Sequence, residues 1–109
     1  PFDLEDGKLC YDGAGTWIDP QKDLLPVACR NFFCPQRQVR IDAPGLNLTF
    51  TLKDNPLIEI GRVTAEEPWL TTTPAGTRFF AYLLNNYWHT NFKADQSGRV
   101  SFRWRIELT

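Results

Sequence analysis

The sequence predicts an all-β fold, an antiparallel β-sandwich, and three observations carry that prediction. Near the C-terminal end Val100, Phe102, Trp104, Ile106 and Leu108 alternate with Ser101, Arg103, Arg105 and Glu107. That is the two-residue period of a strand with one covered and one wet face. On a helix Arg103 and Glu107 would share a side with the apolar set. Further upstream Val39 and Ile41 alternate with Arg40 and Asp42, and Leu46, Leu48, Phe50 and Leu52 alternate with Asn47, Thr49 and Thr51. Between them Pro44-Gly45 has the order that type II turns favour, so the two runs form a hairpin. In residues 1–38 no helix start meets a matching stop.

In chain order, residues 1–38 read as an irregular lead-in and 39–109 as the main sheets. Gly7, Gly13, Gly15, Pro20, Pro26 and Pro35 interrupt any helical period in the lead-in. Its apolar islands, Trp17-Ile18, Leu24-Leu25 and Phe32-Phe33, are expected to pin it onto a sheet. After the hairpin, Asn55-Pro56 turns the chain, and Leu57-Ile58-Glu59-Ile60 is a dense apolar run stopped by Gly61. Residues 64–76 form a polar connection carrying Trp69. Residues 77–84 are an aromatic-rich strand, and Asp95-Gln96-Ser97-Gly98 is a turn.

Composition bounds the partners. A chain of 109 residues is one domain, able to bury roughly 65% of its unfolded surface. The net charge is −1 with scattered Lys and Arg, which argues against nucleic acid as a partner. No apolar run approaches the roughly 18 residues of a membrane helix, so no membrane partner is expected. Cys10, Cys29 and Cys34 are an odd set with no metal or redox spacing. Reduced thiols suit a cytoplasmic setting better than an oxidising one. The one sequon, Asn47-Leu48-Thr49, is too short a pattern to establish secretion.

Residues 81–92, AYLLNNYWHTNF, change character within four positions. From Asn85 on, amide, phenol, indole and imidazole groups crowd together. Asn85-Asn86 can end a strand, and aromatic rings with polar tips suit a sugar or an interface. The substrate-proximal candidates are therefore Asn85, Asn86, Tyr87, Trp88, His89 and Asn91. No catalytic residue is assigned. His89 is the one imidazole and lacks a recognisable nucleophile partner, and no pair among the carboxylates stands out for glycoside hydrolysis. No metal ligand set and no phosphate loop is present either. On these residues alone, three readings stay open: a supporting domain of an enzyme, a stand-alone carbohydrate-binding sandwich using Trp88, Tyr87 and Asn86, and an interaction module without a sugar ligand.

One resemblance narrows them. NNYWHTNF at 85–92, then Gln96-Ser97-Gly98, then Phe102-Arg103-Trp104-Arg105-Ile106 resemble, in that order, the C-terminal β-domain of glycoside hydrolase family 38 α-mannosidases. Leu25-Pro26-Val27-Ala28, Gln36-Arg37-Gln38-Val39 and residues 55–61 (NPLIEIG) agree with the family upstream, with Asp54-Asn55-Pro56-Leu57 departing at one position. The resemblance spans roughly residues 17–108. It implies an accessory domain of a larger retaining hydrolase of carbohydrate metabolism. Zinc and the carboxylate nucleophile would belong to an N-terminal catalytic domain, this chain's expected partner, whose motifs do not occur here; the chain itself is expected to hold no cofactor. It also implies that residues 85–91 lie towards that domain's cleft, and that a sheet meant to pack on other domains exposes an apolar patch. Phe32, Phe33, Trp69, Phe79 and Phe80 are the candidates for that patch, with self-association as its consequence.

Overall fold

The computed structural model describes residues 4, 6–64, 67–84, 93 and 95–109. Seven strands and no helix occur among them: β1 (Lys8–Gly13), β2 (Thr16–Ile18), β3 (Gln38–Ala43), β4 (Leu46–Leu52), β5 (Ile58–Ile60), β6 (Phe79–Ala81) and β7 (Trp104–Leu108). They form a five-stranded sheet in the order β2-β1-β3-β4-β7 and a two-stranded sheet of β5 and β6, every pairing antiparallel. The second sheet packs on the first, as the sequence predicts for a sandwich.

The core follows from the period-two pattern. Val39 and Ile41 on β3, with Leu48, Phe50 and Leu52 on β4, are buried on one face. Opposite them Ile58 and Ile60 descend from β5. Phe79 meets Phe50 edge-on with ring centres 5.1 Å apart, an arrangement that adds to the area buried. Phe33 extends the small sheet by pairing its backbone with Ile58, each N–H to carbonyl distance being 2.9 Å. The β3–β4 hairpin turns through Pro44-Gly45 with Gly45 at φ 73°, the left-handed value a type II turn requires of its third residue.

Three expectations need correction. Residues 1–38 are not merely a lead-in, because β1 lies inside the large sheet between β2 and β3. Leu9, Cys10 and Tyr11 are buried in a row, so β1 lacks the alternation that announces a half-buried strand. Its turn into β2 is Ala14-Gly15, with φ of 49° and 79°. That is a two-residue hairpin turn of the I′ kind without the Asn-Gly signature that makes one legible.

The aromatic patch is the second correction. Phe33 is a core residue, Phe32, Phe79 and Phe80 are half-buried, and of the five named residues Trp69 remains exposed, at 66%. Phe79 packs on Phe50 of the large sheet, and Phe32 on Tyr82 with ring centres 5.9 Å apart.

The third concerns the last strand, whose pairing with β4 starts at Trp104 and whose apolar row is uncovered. Leu108, Ile106 and Trp104 stand directly opposite Leu48, Phe50 and Leu52, and cross-strand partners share a face of the sheet. The core face therefore runs on into β7. Yet Trp104, Ile106 and Leu108 are 42%, 60% and 68% exposed, because the two-stranded sheet covers β1, β3 and β4 and stops short of the fifth strand.

Apart from the Phe33–Ile58 bridge, side chains do much to hold the long connection between β2 and β3. Asp12 Oδ1 accepts from the backbone N–H groups of Arg37 and Gln38 at 2.8 and 2.7 Å, fixing the entry to β3. The buried Arg30 donates to the carbonyls of Pro20, Leu24 and Leu25 and to Thr73 Oγ1, at 3.2–3.4 Å. A guanidinium has five donors in a fixed fork, which suits one side chain to gathering carbonyls from a chain with no regular partner.

Candidate functional site

Asn85, Asn86, Tyr87, Trp88, His89 and Asn91 lie outside the described residues. What the structure gives is the frame from which their segment is hung. Residues 53–59, between β4 and the middle of β5, bind the chain at Tyr82, three residues before the 85–92 segment, and at Arg103, eleven residues after it.

On the upstream flank, Tyr82 is fixed three times. Its N–H donates to the Leu57 carbonyl at 3.0 Å, its own carbonyl accepts from Asn55 Nδ2 at 3.0 Å, and its hydroxyl donates to Glu59 Oε1. The downstream flank is held by Arg103. Its guanidinium grips the Asp54 carboxylate with Nη2 to Oδ1 at 2.7 Å and Nε to Oδ2 at 2.9 Å, and its N–H also donates to Oδ2 at 2.8 Å. Lys53 N donates to the Arg103 carbonyl at 3.2 Å. A two-pronged guanidinium–carboxylate pair fixes orientation as well as distance. Asp54 and Asn55 are neighbours in sequence, so the chain leaves at Tyr82 and returns at Arg103 to one place. Pro56 supports this by biasing Asn55 to an extended backbone.

Glu59 is the buried anchor of this frame. It sits between Ile58 and Ile60, whose side chains go to the core, so period two turns its own side chain to the opposite face. There it would be a costly buried carboxylate without partners. It has them. Oε2 accepts from the Thr64 N–H and lies 3.0 Å from the Thr64 hydroxyl, while Oε1 accepts from Tyr82. Thr64 in turn lies 3.0 Å from the Asn31 carbonyl, and Asn31 Nδ2 reaches the carbonyls of Thr64 and Pro68 while its Oδ1 accepts from Leu70 N–H. The network thus joins the β2–β3 connection, through Asn31, and the β5–β6 connection, through Thr64, Pro68 and Leu70, to Tyr82. Burial, together with the hydrogen bond to Glu59, pushes the Tyr82 phenol up to about 12. The phenol stays protonated at neutral pH and acts as a donor. Asp54 is held below the usual carboxylate range by Arg103. Neither shift produces a base poised for catalysis near neutrality.

Sequence reading missed Glu59 and Tyr82 as polar partners because both sit in apolar runs. The available signal was a lone carboxylate in LIEI, at the one position that turns away from its neighbours.

A separate cleft of about 310 Å³ lies between the start of β1 and residues 19–22, 60 and 75–76. Lys8 Nζ stands 3.3 Å from Asp19 Oδ2 there. Asp19 is otherwise engaged in its own turn, accepting from Gln21 N–H through Oδ1 at 2.9 Å.

With family models, with curated proteins and with solved structures, comparison finds no match to this chain.

Proposed function

We propose that this chain is the accessory β-sandwich of an α-mannosidase-like glycoside hydrolase, holding a polar-aromatic segment towards a catalytic domain that carries the zinc and the nucleophile. The observation that carries this reading is the double clamp, in which Asn55 and Asp54 hold Tyr82 and Arg103, the two ends of the stretch 83–102 that contains residues 85–92. A loop that must meet a substrate needs fixed ends, because ordering it on binding costs conformational entropy. The uncovered row of Trp104, Ile106 and Leu108 supports the reading too, as exposed apolar surface of this kind suits packing against a neighbouring domain.

In this reading the chain binds no metal, hydrolyses nothing by itself and acts by positioning. Trp88, Tyr87 and Asn86 supply stacking and amide contacts to sugar bound in the neighbour's cleft. Two measurements on the purified chain test it. Turnover of an aryl α-mannoside is expected to be absent, and tryptophan fluorescence is expected to show no saturable change with mannose or mannobiose. A saturable transition at millimolar sugar would instead support a stand-alone carbohydrate-binding module, and turnover would overturn both readings.

A further inference from the structure

Among the described residues the outer edge of β7 has no strand partner, and its sequence is complementary to itself. Hydrogen bonds fix which groups face outward. Asn47 and Thr109 exchange both backbone bonds, at 2.9 and 3.0 Å, and Lys53 N donates to the Arg103 carbonyl. With the register Thr49 to Glu107 and Thr51 to Arg105, the alternation of an antiparallel ladder turns the backbone groups of Arg103, Arg105, Glu107 and Thr109 towards β4. Those of Trp104, Ile106 and Leu108 therefore point away from the sheet, where β7 has no neighbour among the described strands.

We infer that this edge pairs with the same edge of a second copy, antiparallel and two-fold symmetric about Ile106. The two-fold axis can pass through a hydrogen-bonded pair, at Trp104, Ile106 or Leu108, or through a non-hydrogen-bonded pair, at Arg105 or Glu107. The last two set a residue's charge against its own copy and are disfavoured. Centring on Trp104 sets Arg103 against Arg105 of the second copy, a like-charge contact. Centring on Leu108 aligns fewer strand residues. Centring on Ile106 aligns the whole strand. Ile106 meets itself, Trp104 meets Leu108 on the apolar face, and Arg105 meets Glu107 on the wet face. The Arg105–Glu107 positions then form non-hydrogen-bonded pairs, in which side chains approach most closely. Within one copy Arg105 Nη2 already lies 2.8 Å from Glu107 Oε1, so the pairing makes an alternating cluster of four charges. It also joins the two uncovered apolar rows edge to edge. The inference concerns the edge of β7 and stands whether or not the chain serves a hydrolase.

The test is the molar mass of the purified chain by light scattering and sedimentation across the micromolar range, with three variants. The wild type is expected to approach a dimer. Arg105→Glu sets carboxylates against each other in both symmetric pairs and is expected to weaken the dimer about tenfold or more. Arg105→Glu with Glu107→Arg restores opposite charges and is expected to recover it. Ile106→Pro removes an N–H that points away from β4, which a strand edge tolerates, so it is expected to leave a folded monomer. A wild type that stays monomeric across the range overturns the inference. So does a dimer that survives Ile106→Pro or ignores the charge reversal.

Discussion

Replacing Glu59 with leucine removes the acceptor at the centre of the frame while keeping the volume close. Glu59 is 1% exposed and Thr64 equally buried. The Thr64 N–H therefore loses its acceptor where water does not reach, at a cost of about 1–3 kcal/mol. The Thr64 hydroxyl keeps the Asn31 carbonyl and adds little. Tyr82 loses a bond to a carboxylate, about 1.5 kcal/mol after allowing for its half-exposed ring. Against these stands the relieved desolvation of the carboxylate, leaving a net loss of about 2–4 kcal/mol. Tyr82→Phe is expected to cost about 1–2 kcal/mol. The double variant should fall short of the sum by about 1 kcal/mol, because one bond is lost in both. Urea unfolding followed by tryptophan fluorescence measures all three. Tyr82 adds a pH dependence. Its proton is held more tightly in the fold, so its contribution is complete below about 10 and drains away as pH rises towards about 12. Wild type should lose stability relative to Tyr82→Phe in that window. Glu59→Leu within about 0.5 kcal/mol of wild type, or strict additivity, would refute the network.

Three further substitutions probe other parts of the frame. Gly61→Ala should cost about 2–4 kcal/mol in the same assay, since Gly61 has φ 76° and a Cβ there would lie 2.8 Å from Pro74 Cβ and 2.7 Å from the Ala75 carbonyl oxygen. Ala14→Asn should stabilise by roughly 0.5 kcal/mol, read as a higher urea midpoint, because Asn suits the left-handed turn position better than Ala. Asp54 is held low by Arg103, so the advantage of wild type over Asp54→Asn should be complete above about 3.9. It should disappear as pH falls through the lower folded value, which urea midpoints against pH would follow.

The sequence made the β3–β4 hairpin legible in full, because its burial is one-sided and its turn chemistry explicit. The fold class followed from that hairpin and from the C-terminal alternation. What escaped was whatever broke those two signals. β1 buries three successive residues and turns through Ala-Gly, so neither period nor turn gave it away. β7 shows the cleanest alternation in the chain, yet its apolar face is the least covered. A pattern says which face a row belongs to and not how far the opposing sheet extends. The candidate site divides the same way. Its polar-aromatic composition was visible in residues 85–92, whereas the clamp depends on pairings between positions 27 and 49 apart in sequence, which no local pattern encodes.

Residues 85–92 are proposed to serve a neighbouring active site. The direct measurement is kcat/KM for an aryl α-mannoside in an enzyme that carries this domain behind a family 38 catalytic domain, with and without Trp88→Ala, the fold verified by circular dichroism. The variant is expected to lose about tenfold or more, the equivalent of roughly 1.4 kcal/mol in transition-state binding. An unchanged kcat/KM with the fold intact would contradict that role.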